Sequence, residues 1–464
     1  MKSSTRGRGG YVSTSVSQQT AAEDAVRYLA TTYSPKGNYV GWLMLASIFV
    51  EAWDYYSITF VLIFIREHYN PSPLLLGLAG AGIQAGVVVG ALVGGWLTDK
   101  LGRRLMFLTS MALFIVLALA QSFAQDVVSL AIIRFVLGIP LGADITTGYT
   151  YIMEYLPTGR REVMGSRWQV MFAGGQATAG VFVALFLVSG MSHEVIWRVI
   201  LGLGAVPALA ILFMRRDLPE TAIWLIREGR FREAKATSLR MYNDSLDMLP
   251  DADVKVKKPP VTEFLADLRR DPIRWRASVY AWIAFFCCAG EASTFNFYIP
   301  VIFMMAGVSS LFGTTLMYSA ILIFGAIAGW VGPMVTPKIG HRRIGISGFA
   351  TVIVGLSTAA TALYTQHPYI LPFAAAIIMW GHTFAVTNPL TIATVVARAR
   401  YRGLAGGFSY VFNKIPYFLG VFLFPSLFAA IGQANATTFV LIFPIIGLLS
   451  AIFIFREVYG FQTD

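Results

Sequence analysis

An all-α membrane protein, with twelve transmembrane helices in two pseudo-symmetric six-helix bundles, is the fold class this sequence predicts. Three observations carry the prediction. The 464 residues are 56% hydrophobic and only 13% charged, with a mean hydropathy of +0.63. Apolar runs recur along the chain, each long enough for about 30 Å of hydrocarbon, roughly 20 helical residues. The stretch GWLTDKLGRR (Gly95 to Arg104) returns, diluted, as TPKIGHRR (Thr336 to Arg343) about half a chain length later, with Thr98, Lys100, Leu101, Gly102 and Arg104 answered by Thr336, Lys338, Ile339, Gly340 and Arg342. Repeated halves in a membrane chain imply two bundles with a small solute held between them, the architecture of a transporter.

The elements follow in order. Residues 1–38 form a polar, basic cytoplasmic segment without a cleavable signal pattern, and the first 20, rich in Ser, Thr and Gly, are expected to be disordered. The first bundle occupies 39–214, with spans at 39–65, 74–97, 105–124, 127–153, 166–190 and 195–214. A hydrophilic linker, 215–275, begins with RRDLPETAIWLIREGRFREA, whose spacing of Ile223, Trp224 and Ile226 among charges predicts an amphipathic helix on the inner membrane face. The second bundle fills 276–456, with spans at 276–305, 311–336, 344–365, 368–397, 404–430 and 435–456, and 457–464 form a cytoplasmic tail. The 43 Gly and 20 Pro scatter through the spans, as membrane helices tolerate. Adjacent Cys287 and Cys288 lie inside one span and read as packing residues.

The net charge of +11 is a topology signal. Of the 36 Lys and Arg, all but Arg66, Arg134, Arg198 and Lys414 fall at the termini or in alternate loops, on one side. That asymmetry places both termini in the cytoplasm of a multi-pass plasma-membrane protein and argues against a nucleic-acid partner.

Chemistry then concentrates in the spans. An ionisable side chain at mid-membrane costs about 2.5–3.5 kcal/mol on insertion scales, so each one marks a role or a partner. Glu51, Asp54, Arg134, Asp144, Glu291 and Lys414 are such residues, and the cheapest arrangement gathers them around one aqueous chamber. Glu51 and Asp54, three apart, share a helix face. Asp54, Asp144, Glu291 and Arg134 are the proton-coupling candidates. Lys414, Asp144, Glu51, Gln176, Asn296, Tyr298 and Asn388 are the substrate-binding candidates, with His382 another pocket polar group. Structural ion pairing of Asp54 and Asp144 with Arg134 or Lys414 is the alternative reading. Asp99, Arg103 and Arg104 are read as gating residues that latch helix ends. Asn435-Ala436-Thr437 fits a glycosylation pattern in an outer loop. Nucleophile elbow, metal cluster and phosphate loop motifs are missing from the sequence, so it reads as neither an enzyme nor a cofactor protein; protons are the expected coupling ion.

On these residues the chain resembles the major facilitator superfamily. GWLTDKLGRR is similar to that family's G-x-L-x-D-[RK]-x-G-R-[RK] loop between helices 2 and 3. PETAIWL, with Gly229-Arg230 and Glu233-Ala234, resembles the P-E-S-P-R-W-L…GR…EA element of the sugar-porter and organic-ion branches, with Thr221, Ala222 and Ile223 in place of Ser, Pro and Arg. EAWD (Glu51 to Asp54), GADITTGYTYIMEY around Asp144 and Glu154, and GFSYVFNKIPYFLG around Lys414 resemble elements of the proton-coupled phosphate symporters. Glu291 is similar to their helix-7 aspartate, and Gln176 falls within one residue of their helix-5 glutamine. Ile145 and Cys287 depart from aromatic positions of that pattern. The resemblance implies the superfamily fold, a monomer, and proton and substrate binding by the helix-4 and helix-7 acids and the helix-11 lysine. The expected function is proton-coupled symport of a small polar or anionic solute (phosphate, an organic anion or a sugar-like molecule) by alternating access. The alternative is an organic-cation or drug transporter, antiporter or facilitator, using the acids beside Trp53, Tyr55, Phe295, Phe297 and Tyr298. Free acids on the chamber would favour a cation, and a free Lys414 an anion.

Overall fold

A computed structural model describes residues 16–254, 261–307, 310–398 and 401–461; most of the segment expected to be disordered lies outside them. The helices of the first half are α1 (Gly37–Tyr69), α2 (Pro73–Leu101), α3 (Arg103–Gln121), α4 (Val127–Tyr155), α5 (Trp168–Val188) and α6 (His193–Arg215). In the second half, α7 (Pro272–Glu291) runs on through a π-helical turn, Ala292–Asn296, into Phe297–Met305. The helical stretch Leu311–Tyr364 bends at Gly340 into two arms, α8 (311–339) and α9 (341–364). Then come α10 (Pro368–Val395), α11 (Arg402–Ile431) and α12 (Gln433–Phe453). Nine described helical segments are long and apolar enough to cross a membrane, Leu311–Tyr364 counting as one.

Local chemistry sets the ends. Ser72 caps α2 by accepting the Leu75 N–H, Asp126 and Ser129 form a capping box on α4, and Asp271 accepts the Ile273 N–H ahead of α7. Glycines let helices touch: a Cβ on Gly86 or Gly90 of α2 would collide with α4 carbonyls, and one on Gly348 of α9 with the α10 backbone.

The sequence echo is a structural one. Gly102 (φ 103°) and Gly340 (φ 82°) both adopt backbone closed to other residues. After each, a helix starts, and one carboxylate receives its first two free N–H groups. Glu220 accepts from Arg103 and Arg104, each at 3.0 Å. Glu457 accepts from His341 at 3.1 Å and Arg342 at 3.0 Å. An anion at a helix N-terminus is favoured by the free donors and the dipole. Burial pushes the Glu220 carboxyl above its usual range, against the opposing pull of Arg103 and these N–H groups. Gly340→Ala would force a strained φ and drive Cβ into Glu457. It is expected to cost at least about 1–3 kcal/mol, read as a lower thermal midpoint in detergent, with Ser347→Ala as the neutral control.

The linker packs rather than trails. Ile223, Trp224 and Ile226 are buried, and Trp224 Nε1 donates to the Asp99 carbonyl at 3.1 Å. The helices Ala222–Arg227 and Phe231–Tyr242 thus cover the end of the first half where Gly102 lies, called here the basic end.

Candidate functional site

The two halves meet along α1, α2 and α5 on one side and α8, α10 and α11 on the other. Midway along the helices, Glu51 of α1 faces Lys414 of α11, with Lys414 Nζ 3.4 Å from Glu51 Oε1. Tyr410, one turn before Lys414, donates its hydroxyl to the same oxygen at 2.7 Å. The ammonium lies over the rings of Tyr55 and Tyr410, 4.2 and 4.7 Å from their centroids. One step further, the hydroxyls of Tyr56 (α1) and Tyr417 (α11) share a 2.6 Å hydrogen bond. The helix spacing of Tyr410, Lys414 and Tyr417 puts all three on one face of α11.

On the second half, Glu291 ends the regular part of α7. Its Oε2 lies 2.6 Å from Nδ1 of His382 on α10. The π turn that follows, a local widening common at functional sites, carries Asn296.

Other predicted residues sit elsewhere. Asp54 and Arg134 belong to the first half alone: Gln121 Nε2 donates to Asp54 Oδ1 at 2.7 Å, Arg134 Nη1 donates to Gln121 Oε1 at 3.2 Å, and the guanidinium is 3.9 Å from Asp54 Oδ2. Asp144 does not meet Lys414 or Arg134. It pairs with Arg215 at 2.8 Å, a residue assigned to the linker from its place among loop cations. Arg215 also donates to the carbonyls of Leu43 and Met44 and to Ser47 Oγ, pinning α1. The expectation of one common chamber is therefore corrected. A buried charge takes the nearest fixed partner, and two of the pairs close within the first half.

The residues read as gating cluster at the basic end. Arg103 bridges Asp99 at 3.2 Å and Glu154 at 2.9 Å, while Arg104 donates to the Arg216 carbonyl. Asp99 Oδ2 accepts the Leu404 N–H at 3.2 Å, a contact from the first half to the second.

Several buried polar atoms near the seam have no hydrogen-bond partner. Among buried groups without a hydrogen-bond partner are both amide atoms of Asn296, Glu291 Oε1, Glu51 Oε2, Asn388 Nδ2 and Gln169 Oε1. Asn388 Oδ1 accepts from Ser166 Oγ across the halves at 3.1 Å, and Gln176 is buried on α5. Tyr298 differs: its hydroxyl donates to the Val421 carbonyl, which ties α7 to α11. The sequence reading missed Gln121, Gln169, Arg215 and Tyr410. Only Tyr410 carried a signal, four residues before Lys414.

Breaking the pair across the halves has a definite expected outcome. Lys414→Met leaves Glu51 buried beside a neutral side chain and should destabilise by about 3–5 kcal/mol, whereas removing both charges in Glu51→Gln/Lys414→Met should restore most of the loss. Thermal midpoints of the single and double variants test this.

Comparisons with known proteins agree with this architecture. The Major Facilitator Superfamily profile matches residues 44–421. The chain is similar to the inner membrane metabolite transport protein YgcS of Escherichia coli (strain K12), 28% identical over 287 residues, or 61% of this chain and 62% of that protein, which is under two thirds of its length. It is similar to the arabinose-proton symporter of Bacillus subtilis (strain 168), 26% identical over 407 residues, 84% of this chain and 85% of that one. Its fold matches the proton:xylose symporter XylE bound to 6-bromo-6-deoxy-D-glucose, with a TM-score of 0.74 at 18% identity, covering 91% of this chain and 96% of that structure. With the family match running from α1 into α11, the chain belongs to the Major Facilitator Superfamily.

Proposed function

We propose that this transporter moves a neutral, hydroxyl-rich solute of the sugar or polyol class together with protons, by alternating exposure of the seam between its halves. The observation that carries the reading is the character of the unpartnered atoms on that seam. Asn296 and Asn388 offer amide donors, while Asn296, Gln169, Glu51 and Glu291 offer acceptors. A hydroxyl both donates and accepts, so a polyol satisfies such a mixture. An anion would need Lys414, already paired with Glu51. A cation would need free acids, but Glu51, Asp54 and Asp144 each have a Lys or Arg partner. The arabinose-proton symporter and XylE, by their names, carry sugars with protons, which favours the sugar class over phosphate or an organic anion.

The charge pattern also supports a place for the proton. Glu291 differs from the other three acids in that its ion-pair partner among the described residues is a histidine. Its charge is balanced only when the pair holds a proton, and an unbalanced charge at this depth is costly. In this reading Glu291 and His382 carry the coupled proton, and Asp54 with Arg134 is the second candidate.

Twelve crossings follow if Leu311–Tyr364 spans twice around Gly340 and Pro272–Met305 and Arg402–Ile431 each span once. The basic end then faces the cytoplasm with both termini, in a monomer of the cell membrane. Reconstitution into vesicles tests the function. Pentoses, hexoses and inositols should accumulate when the outside is acid and should not when a protonophore is added. Uptake confined to phosphate, carboxylates or amines would contradict the reading.

A further inference from the structure

The chain beyond α12 reaches back across the molecule. Glu457 caps α9, and three residues later the Gly460 N–H lies 3.1 Å from both oxygens of Glu162. Glu162 belongs to the first half, in the helix Arg160–Ser166, and is fully buried. Its Oε2 is also 3.3 Å from Nε2 of His341, the first residue after the Gly340 bend. A carboxylate of one half is thus gripped by two groups of the other, at the basic end.

We propose that Glu162 and His341 form a proton-operated latch between the halves, tightened when the compartment at the basic end acidifies. The proposal rests on the alternating-exposure reading above. Among the described residues, His341 is the partner of Glu162 that is able to carry a positive charge. Neutral His341 offers Glu162 a hydrogen bond; protonated His341 adds a charge-assisted contact shielded from water. Histidine changes charge within the physiological range. Parting the halves would hydrate both groups and forfeit that contact, so the proton favours the closed basic end.

The surroundings leave this role to His341. Its backbone N–H is held by Glu457, its Nδ1 has no partner, and the Tyr459 ring stands 5.7 Å away. Arg342 is engaged by the Ala451 and Ile452 carbonyls, and Lys338 and Arg343 are exposed. On the facing half, Arg160 lies over the Tyr33 ring and Arg161 is buried beside Glu162 in sequence. A symporter that releases protons at this end would slow its own opening as they accumulate.

The test uses full-length protein in lipid nanodiscs, spin-labelled at Arg160→Cys and Lys338→Cys, exposed positions on opposite halves; the native Cys287 and Cys288 are buried. Distance distributions are measured between about pH 5.5 and 8, the range in which histidine titrates. The closed-to-open ratio should fall about fivefold across that range, at the low end of usual couplings between sites. His341→Gln and Glu162→Gln should each abolish the shift, and His341→Arg should stay closed at both extremes. A His341→Gln protein that keeps the full shift, or a His341→Arg protein that opens as the parent does, overturns the latch. Vesicle uptake separates the two readings: sugar transport with an unchanged His341→Gln shift sinks only the latch, whereas a pH-dependent latch without sugar transport sinks only the proposed function.

Discussion

Glu291→Gln is expected to abolish accumulation driven by a pH gradient while sparing solute exchange at equal pH. The glutamine keeps the size of the side chain and a hydrogen bond for His382 Nδ1, now 2.6 Å from the Glu291 carboxylate. It removes the charge whose balance calls for a proton. Each coupled proton entering through 100 mV contributes about 2.3 kcal/mol, roughly 50-fold in accumulation, and this is the factor that should vanish. Exchange of labelled for unlabelled sugar across one vesicle membrane should continue within a few-fold, because alternation needs a neutral seam and glutamine supplies one. A Glu291→Gln protein that still concentrates solute against its gradient would transfer the coupling role to Asp54 and Arg134.

The second large effect concerns stability. Arg215→Met should leave Asp144 charged and unpaired in the first half and strip donors from the Leu43 and Met44 carbonyls and Ser47. Removing one partner of a buried pair costs about 3–5 kcal/mol, a large share of the stability of most domains. Poor expression and a much lower thermal midpoint are expected. Asp144→Asn/Arg215→Met should regain most of the loss, because the double change leaves no unpaired charge. If Arg215→Met proves as stable as the parent, the pair is not structural, and Asp144 returns to the coupling candidates.

The all-helical superfamily fold was legible in the sequence, because a membrane makes long apolar runs and a repeated loop motif stand out. Even the echo at Gly340 had a physical meaning, since the same backbone bend and the same capping carboxylate recur after Gly102. What sequence did not reveal was pairing. Arg215 reads as one more loop cation until α6 is seen to carry it beneath α1 to Asp144. Gln121, at the end of a span, gives no sign that it links Asp54 to Arg134. Glu162 and His341 lie in separate basic loops, and only the closure of the halves brings them together. Local patterns report which residues are costly to bury; three-dimensional packing decides which neighbour makes them cheap.

Coupled transport requires a seam that offers a neutral pocket and one exchangeable proton, and coupled flux measures both at once. Purified protein in vesicles, given labelled sugars or inositols with an acid exterior and clamped membrane potential, should take up solute and protons together, with inward positive current that stops in Glu291→Gln. Solute uptake without proton movement or current, or current only with charged solutes, would contradict it.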